Sequence, residues 1–188
     1  NREAFWRHSI ITGIAGSVVN ERAKKRLGFI YGNDLLHLAG LVHDIGKVIF
    51  EHYYHEDFDK AVAFAKENQV PLITAETQVM GVDHTEIGLW LAQKWKMGRE
   101  IQEVIRWHHE PADSDASLLH LVAMIHAGNC ICNWYQLGDG GDPVPVIAPG
   151  VWELLGMTEN DVEALVEQIN LECSHSEMLA ALSRTNNS

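Results

Sequence analysis

Basic residues are scarce in this chain: 14 Lys and Arg stand against 26 Asp and Glu, a formal net charge of −12 over 188 residues. Nucleic acid and anionic membrane both call for a Lys/Arg-rich face, so the deficit argues against either as the main partner. Cysteine is scarce too. Cys130, Cys132 and Cys173 are odd in number and form no C-x-x-C pair, which fits free thiols in a reducing, cytoplasmic setting. Residues 1–30 contain no apolar run after a basic start, so no secretory signal is read there. Strand-like alternation, internal repeats and low-complexity stretches are also missing. Hydrophobic residues are not lacking, at 46%, which excludes wholesale disorder. A prior of roughly 150 residues per domain gives a single domain, one able to bury roughly 70% of its unfolded surface without a staple.

Ala116 to Gly138 carries no Asp, Glu, Lys or Arg and is long enough to span a bilayer. It also holds His120, His126, Asn129, Asn133 and Gln136 between acidic flanks, and reads as a buried helix rather than a membrane segment. The chain opens at Asn1 without Met and is amphipathic by Phe5, which reads as a fragment of a longer polypeptide.

The periodicity is helical nearly throughout, and the fold class is all-α. Phe5, Ile11, Ile14, Ala15 and Val18 line one face of a first helix. Asn33 is expected to cap a helix through Leu36, Ala39, Gly40 and His43, and residues 57–68 form a shorter helix ended by Pro71. Asp83-His84-Thr85-Glu86 has capping-box spacing and should open a helix with Ile87, Leu91 and Trp95 inward. Ile101, Val104, Ile105 and His108 share the next inner face, closed off by Pro111. Leu118, Val122, Ile125 and Asn129 share another. Gly138–Gly150 is the one clear loop, followed by Val151–Leu155 and a helix capped at Thr158.

Chemistry gathers on the histidines. His43-Asp44 interrupts the apolar run Leu41–Ile49, and on a helix neighbours about 100° apart can address a common metal or two adjacent ones. Ala39 and Gly40, one turn earlier, are small enough to admit another helix or an ion. Alternatively, Asp44 and Lys47 form a local pair and His43 is a satisfied core histidine. His8, His84, His108 and His109 also fall on or beside inner faces. Each buried imidazole left unsatisfied costs about 1–3 kcal/mol, and a shared metal satisfies them together. The Trp residues read as packing anchors, Cys130 and Cys132 as core thiols, and His126 as a core histidine. His37, His52, His55, His120 and His175 read as surface or structural.

The order His, His-Asp, His, His-His, set in the words FWRHSI, LVHDIGK, GVDHTEIGLWLAQKWKM and IRWHHEP, resembles the HDOD family of the HD phosphohydrolase superfamily over residues 3–137. The resemblance implies an HD-superfamily helical bundle in 1–137, lacking the family's N-terminal helices, with a C-terminal helical extension in 138–188. It implies metal ligands at His8, His43, Asp44, His84, His108, His109 and Asn129, with Asp44 and Lys47 as catalytic residues and Lys47 on the phosphate side. At Asn129 the superfamily usually has Asp, so a metal there would be held more weakly. Ala4 stands where some relatives have an acid, which leaves no carboxylate for a third metal. The related HD-GYP phosphodiesterases carry a Gly-Tyr-Pro element where this chain reads Glu110–Asp115, so the element is absent.

Two functions follow from the resemblance. One is a signal-transduction output or regulatory domain of the HDOD type, working with other signalling proteins or attached receiver and sensor modules as in response regulators. The other is a metal-dependent phosphohydrolase or phosphodiesterase acting on a nucleotide or cyclic nucleotide, with a phosphorylated small molecule as its partner. Either would hold one or two divalent ions, and N/O ligation suits Fe, Mn, Ni, Co or Zn. A diiron oxygen-sensing protein would use the same ligands and stands last. Without the family's N-terminal helices, an uncovered face would favour a homodimer.

Overall fold

The computed structural model describes residues 2–28 and 31–185, with side chains to residue 176. Among the described residues it is all-helical: α1 (Arg2–Leu27), α2 (Asn33–Val42), α3 (Ile45–Tyr53), α4 (His55–Asn68), α5 (Leu72–Met80), α6 (His84–Lys94), α7 (Arg99–Trp107), α8 (Leu119–Trp134), α9 (Val151–Leu154) and α10 (Val162–Thr185). Short 3-10 turns lie at Pro111–Asp113 and Glu159–Asp161.

Helix α1 is central because its inner face is small. Ser9, Thr12, Gly13, Ala15, Gly16 and Ser17 are all buried. A Cβ on Gly40 of α2 would overlap the Gly13 backbone, and one on Gly128 of α8 would sit 3.1 Å from Gly16 N. Small residues at both crossings let α2 and α8 lie close against α1, so the space beside Gly40 admits a helix rather than an ion. The same crossing brings His8, near the start of α1, to the end of α2, where His43 stands. The tail shares this core: Trp152, Leu155, Leu165 and Ile169 belong to one apolar cluster with Val18, Val19 and Ala23. Arg22 clamps it further through Asp161 at 2.6 Å.

Helices α4 and α5 form a separate hairpin around Ala65, Leu72 and Ala75. Gln69 takes a left-handed conformation after α4, and Pro71 opens α5. Nothing in the sequence reading anticipated α5. The uncharged segment 116–138 does contain a buried helix, α8, and among the described residues no helix is long and apolar enough to cross a membrane.

Three local expectations are corrected. Gly32, not Asn33, is the residue before α2, and no side chain caps that helix. His43 and Asp44 are not neighbours within one helix; they form the break between α2 and α3, with Asp44 at φ −99°, ψ 15°. Trp95 does not face inward. It ends α6 and is 60% exposed, and Trp90 is 55% exposed, so only some tryptophans anchor packing, Trp152 at 7% among them. Two caps hold as expected. Asp83 accepts from the Thr85 and Glu86 amides, and Thr158 with Asp161 forms a capping box leading into α10.

Candidate metal centre

Five helices and their ends converge on Asp44. His8 comes from α1, His43 and Asp44 from the α2–α3 break, His84 from the first position of α6, and His108 and His109 from the end of α7. All are buried except His109, which is partly exposed. Their ligand atoms fall into two groups that share Asp44: Asp44–His84–His108–His109 and His8–His43–Asp44, the atoms of each lying within 4.8 Å of one another.

The Nδ1 partners decide what faces the centre. Carbonyl and carboxylate oxygens only accept, so an Nδ1 beside one must donate. His43 Nδ1 donates to Gly40 O at 2.7 Å, His84 Nδ1 to Glu76 Oε2 at 2.5 Å, and His108 Nδ1 to the carbonyls of Val104 and Ile105 at 3.1 Å. Each Nε2 is thereby aimed inward. His84 Nε2 lies 3.5 Å from His108 Nε2 and 3.2 Å from His109 Nε2. Asp44 Oδ1 lies 3.2 Å from His84 Nε2 and 3.5 Å from His108 Nε2, and Oδ2 lies 3.3 Å from His43 Nε2. Hydrogen bonding does not settle this cluster: His43 Nε2, Asp44 Oδ1 and both His8 ring nitrogens have no partner of good geometry. Convergent lone pairs around a buried carboxylate are what a divalent cation requires, and the residues present fit one.

Electrostatics divide the cluster into three neutral imidazoles and one held protonated. Burial lowers His8 and His108 to about 3 and holds His109 well below its ordinary value, so all three are neutral and free to ligate at pH 7. Burial alone would raise Asp44, but His43 and Lys47 outweigh it and keep the carboxylate ionised. Burial would likewise lower His84, yet the Glu76 carboxylate pushes it up to about 9, so in the metal-free protein its Nε2 carries a proton at pH 7 that an entering cation would displace. Glu76 is the residue the sequence reading missed. It is fully buried, and its Oε2 also accepts from the His84 backbone N at 2.9 Å. It orients the His84 imidazole from behind, the position that second carboxylates take in metal sites.

Lys47 is buried and donates to Asp44 Oδ2 at 2.7 Å and to Gly140 O at 2.8 Å. The local Asp44–Lys47 pair and the histidine cluster therefore coexist. On the outer side of Lys47 lies a cavity of about 470 Å³, walled by Phe5, Trp6, Phe58 and Val62. Asn129 sits beside His8 with its Oδ1 accepting from the Asn133 amide at 2.8 Å. His126 is a core residue: Nδ1 donates to His108 O at 2.6 Å and Nε2 accepts from Ala148 N at 2.8 Å. His37, His52, His55 and His175 are exposed and His120 is half-buried. Cys130 and Cys132 are buried and free.

Comparison with known proteins bears on the family and fold of the chain. It is 29% identical over 93 residues to an uncharacterized protein of Treponema pallidum (strain Nichols), covering 50% of this chain and 18% of that one. Among solved structures it is similar to an HDOD domain protein of unknown function from Geobacter sulfurreducens, with 26% identity and a TM-score of 0.70 over 96% of this chain and 62% of that one. A protein from Marinobacter aquaeolei VT8 named for signal transduction shares the fold at 18% identity and a TM-score of 0.75, over 95% of this chain and 39% of that one. So does one from Shewanella amazonensis SB2B named as a phosphohydrolase, at 20% and 0.55 over 88% and 63%. The chain spans less than two thirds of each of these relatives. The HDOD domain family matches residues 1–111, which include every histidine of the cluster and leave out Asn129. More than half of its length is matched, and the chain belongs to the HDOD domain family.

Proposed function

We propose that the chain is a regulatory HDOD-type signalling domain that holds one or two divalent transition-metal ions and passes a state to attached receiver or sensor modules or to other signalling proteins. The observation that carries the metal is the set of inward Nε2 atoms of His43, His84, His108 and His109 around Asp44. His8 completes the second group, and Asn129 supplies at most a neutral carbonyl oxygen. Fe, Mn, Ni, Co and Zn all suit these donors.

Lys47 favours regulation over turnover. The resemblance assigns it to a phosphate, but two of its three donors are held by Asp44 and Gly140. A phosphohydrolase is the second reading, favoured by the aromatic-walled cavity on the outer side of Lys47. A bound ion would supply Lewis acidity there, and Lys47 would orient a phosphate by giving up Gly140. Metal-loaded protein and its His43→Ala variant, assayed on bis(p-nitrophenyl) phosphate and p-nitrophenyl phosphate, separate the two readings. Equal background release from both proteins is the expected result. Release that depends on His43 would overturn the regulatory reading in favour of the enzyme.

A further inference from the structure

The two ligand groups differ in how they meet the surface. Asp44–His84–His108–His109 includes one partly exposed residue, His109. His8, His43 and Asp44 are fully buried. What lies over them is the segment Gly138–Asp142, which follows α8 and belongs to no regular element. Gly138 is seated on the His8 backbone: a Cβ there would approach His8 N to 2.5 Å, and its φ of +114° suits glycine. Gly140 is seated on the ring itself, where a Cβ would stand 2.8 Å from both Cε1 and Nε2 of His8.

The segment is tied down at three points on three different helices. Asp139 N donates to Ala4 O at 3.0 Å on α1, Gly140 O accepts from Lys47 Nζ at 2.8 Å on α3, and Asp142 Oδ1 accepts from Leu72 N at 3.2 Å at the start of α5. Lys47 is at once the tie to Gly140 and the partner of Asp44, so the strap is fastened to the shared ligand.

We propose that Gly138–Asp142 is a latch over one of two unequal metal positions: His8–His43–Asp44 is a sealed position whose ion leaves only when the strap lifts, and Asp44–His84–His108–His109 is an exchangeable one. A sealed ion must wait for a local opening, and its exit rate follows the free energy of that opening. Because the proposal presupposes bound ions, its test begins by measuring zinc content.

Zinc-loaded protein is mixed with excess chromophoric chelator and release is followed in time. Two phases are expected. Asp142→Ala removes the Leu72 tie and Gly140→Ala forces the strap off the His8 ring. Asp142→Ala should speed the slow phase about tenfold, the effect of losing one hydrogen bond from the closed state, Gly140→Ala should speed it through the clash with the His8 ring, and both should leave the fast phase unchanged. Two ions released in a single phase, or a slow phase that neither variant accelerates, would overturn the latch while leaving the metal site standing. A protein that takes up no zinc overturns the metal reading itself.

Discussion

Glu76 offers the sharpest quantitative test of how the centre is built. Its Oε2 accepts two hydrogen bonds from one residue, His84 Nδ1 and His84 N, and so fixes both the ring and the first turn of α6. Glu76→Gln keeps an acceptor oxygen and nearly the same volume but removes the charge that makes the imidazole basic. Carboxylates behind a metal-bound histidine are worth about 10- to 100-fold in affinity, or about 1.4–2.8 kcal/mol. The glutamine variant should fall near the lower end, because the hydrogen bonds survive in weaker form. Glu76→Ala leaves the buried His84 N and Nδ1 without a partner, adding about 1–3 kcal/mol of lost stability. Zinc affinity by chelator competition, alongside thermal denaturation of the metal-free proteins, reads both effects. Glutamine-variant affinity within about twofold of wild type would refute the orienting role, because the expected loss is at least several times larger.

Other outcomes follow from individual contacts. Asn129→Asp should tighten zinc binding, since it adds a carboxylate beside His8, and unchanged affinity would place position 129 outside the ligand set. His126→Ala strands His108 O and Ala148 N, and should cost about 2–4 kcal/mol in a denaturant titration; a loss under about 0.5 kcal/mol would contradict the bridge. The Arg22 hydrogen bond lowers Asp161 to about 2. That stability is present above the unfolded value of about 3.9 and is lost as pH falls toward 2. Asp161→Asn should therefore be less stable than wild type by about 0.2–1 kcal/mol at pH 7, with the gap closing near pH 2; a gap independent of pH would contradict it.

The histidine order was legible because each of these histidines sits in a short word with its own local signal: an apolar run around His43, a cap before His84, a stop after His109. Asp83 and Thr158 were legible for the same reason, since a cap is written in four consecutive residues. Glu76 was not. It lies in Leu72–Met80, where only Leu72 and Ala75 are buried apolar residues, too few to mark a helix by period. Its role also exists only through a partner eight residues on, so an isolated acid there reads as surface. The break at His43-Asp44 was hidden by helical periodicity on both sides. Trp95 was misplaced because α6 ends under it, and the last position of a helix no longer follows the inner face. The strap over His8 depends on ties to Ala4, Lys47 and Leu72, and no local pattern encodes contacts that distant.

The central claim is that these histidines hold a metal. Elemental analysis of protein purified without oxygen or chelator, beside His43→Ala and Asp44→Ala, tests it most directly. About one to two equivalents of a transition metal per chain, set by the two ligand groups, should be lost in both variants while helicity by circular dichroism stays nearly intact. Wild-type protein free of metal, or content unchanged in both variants, would contradict the account.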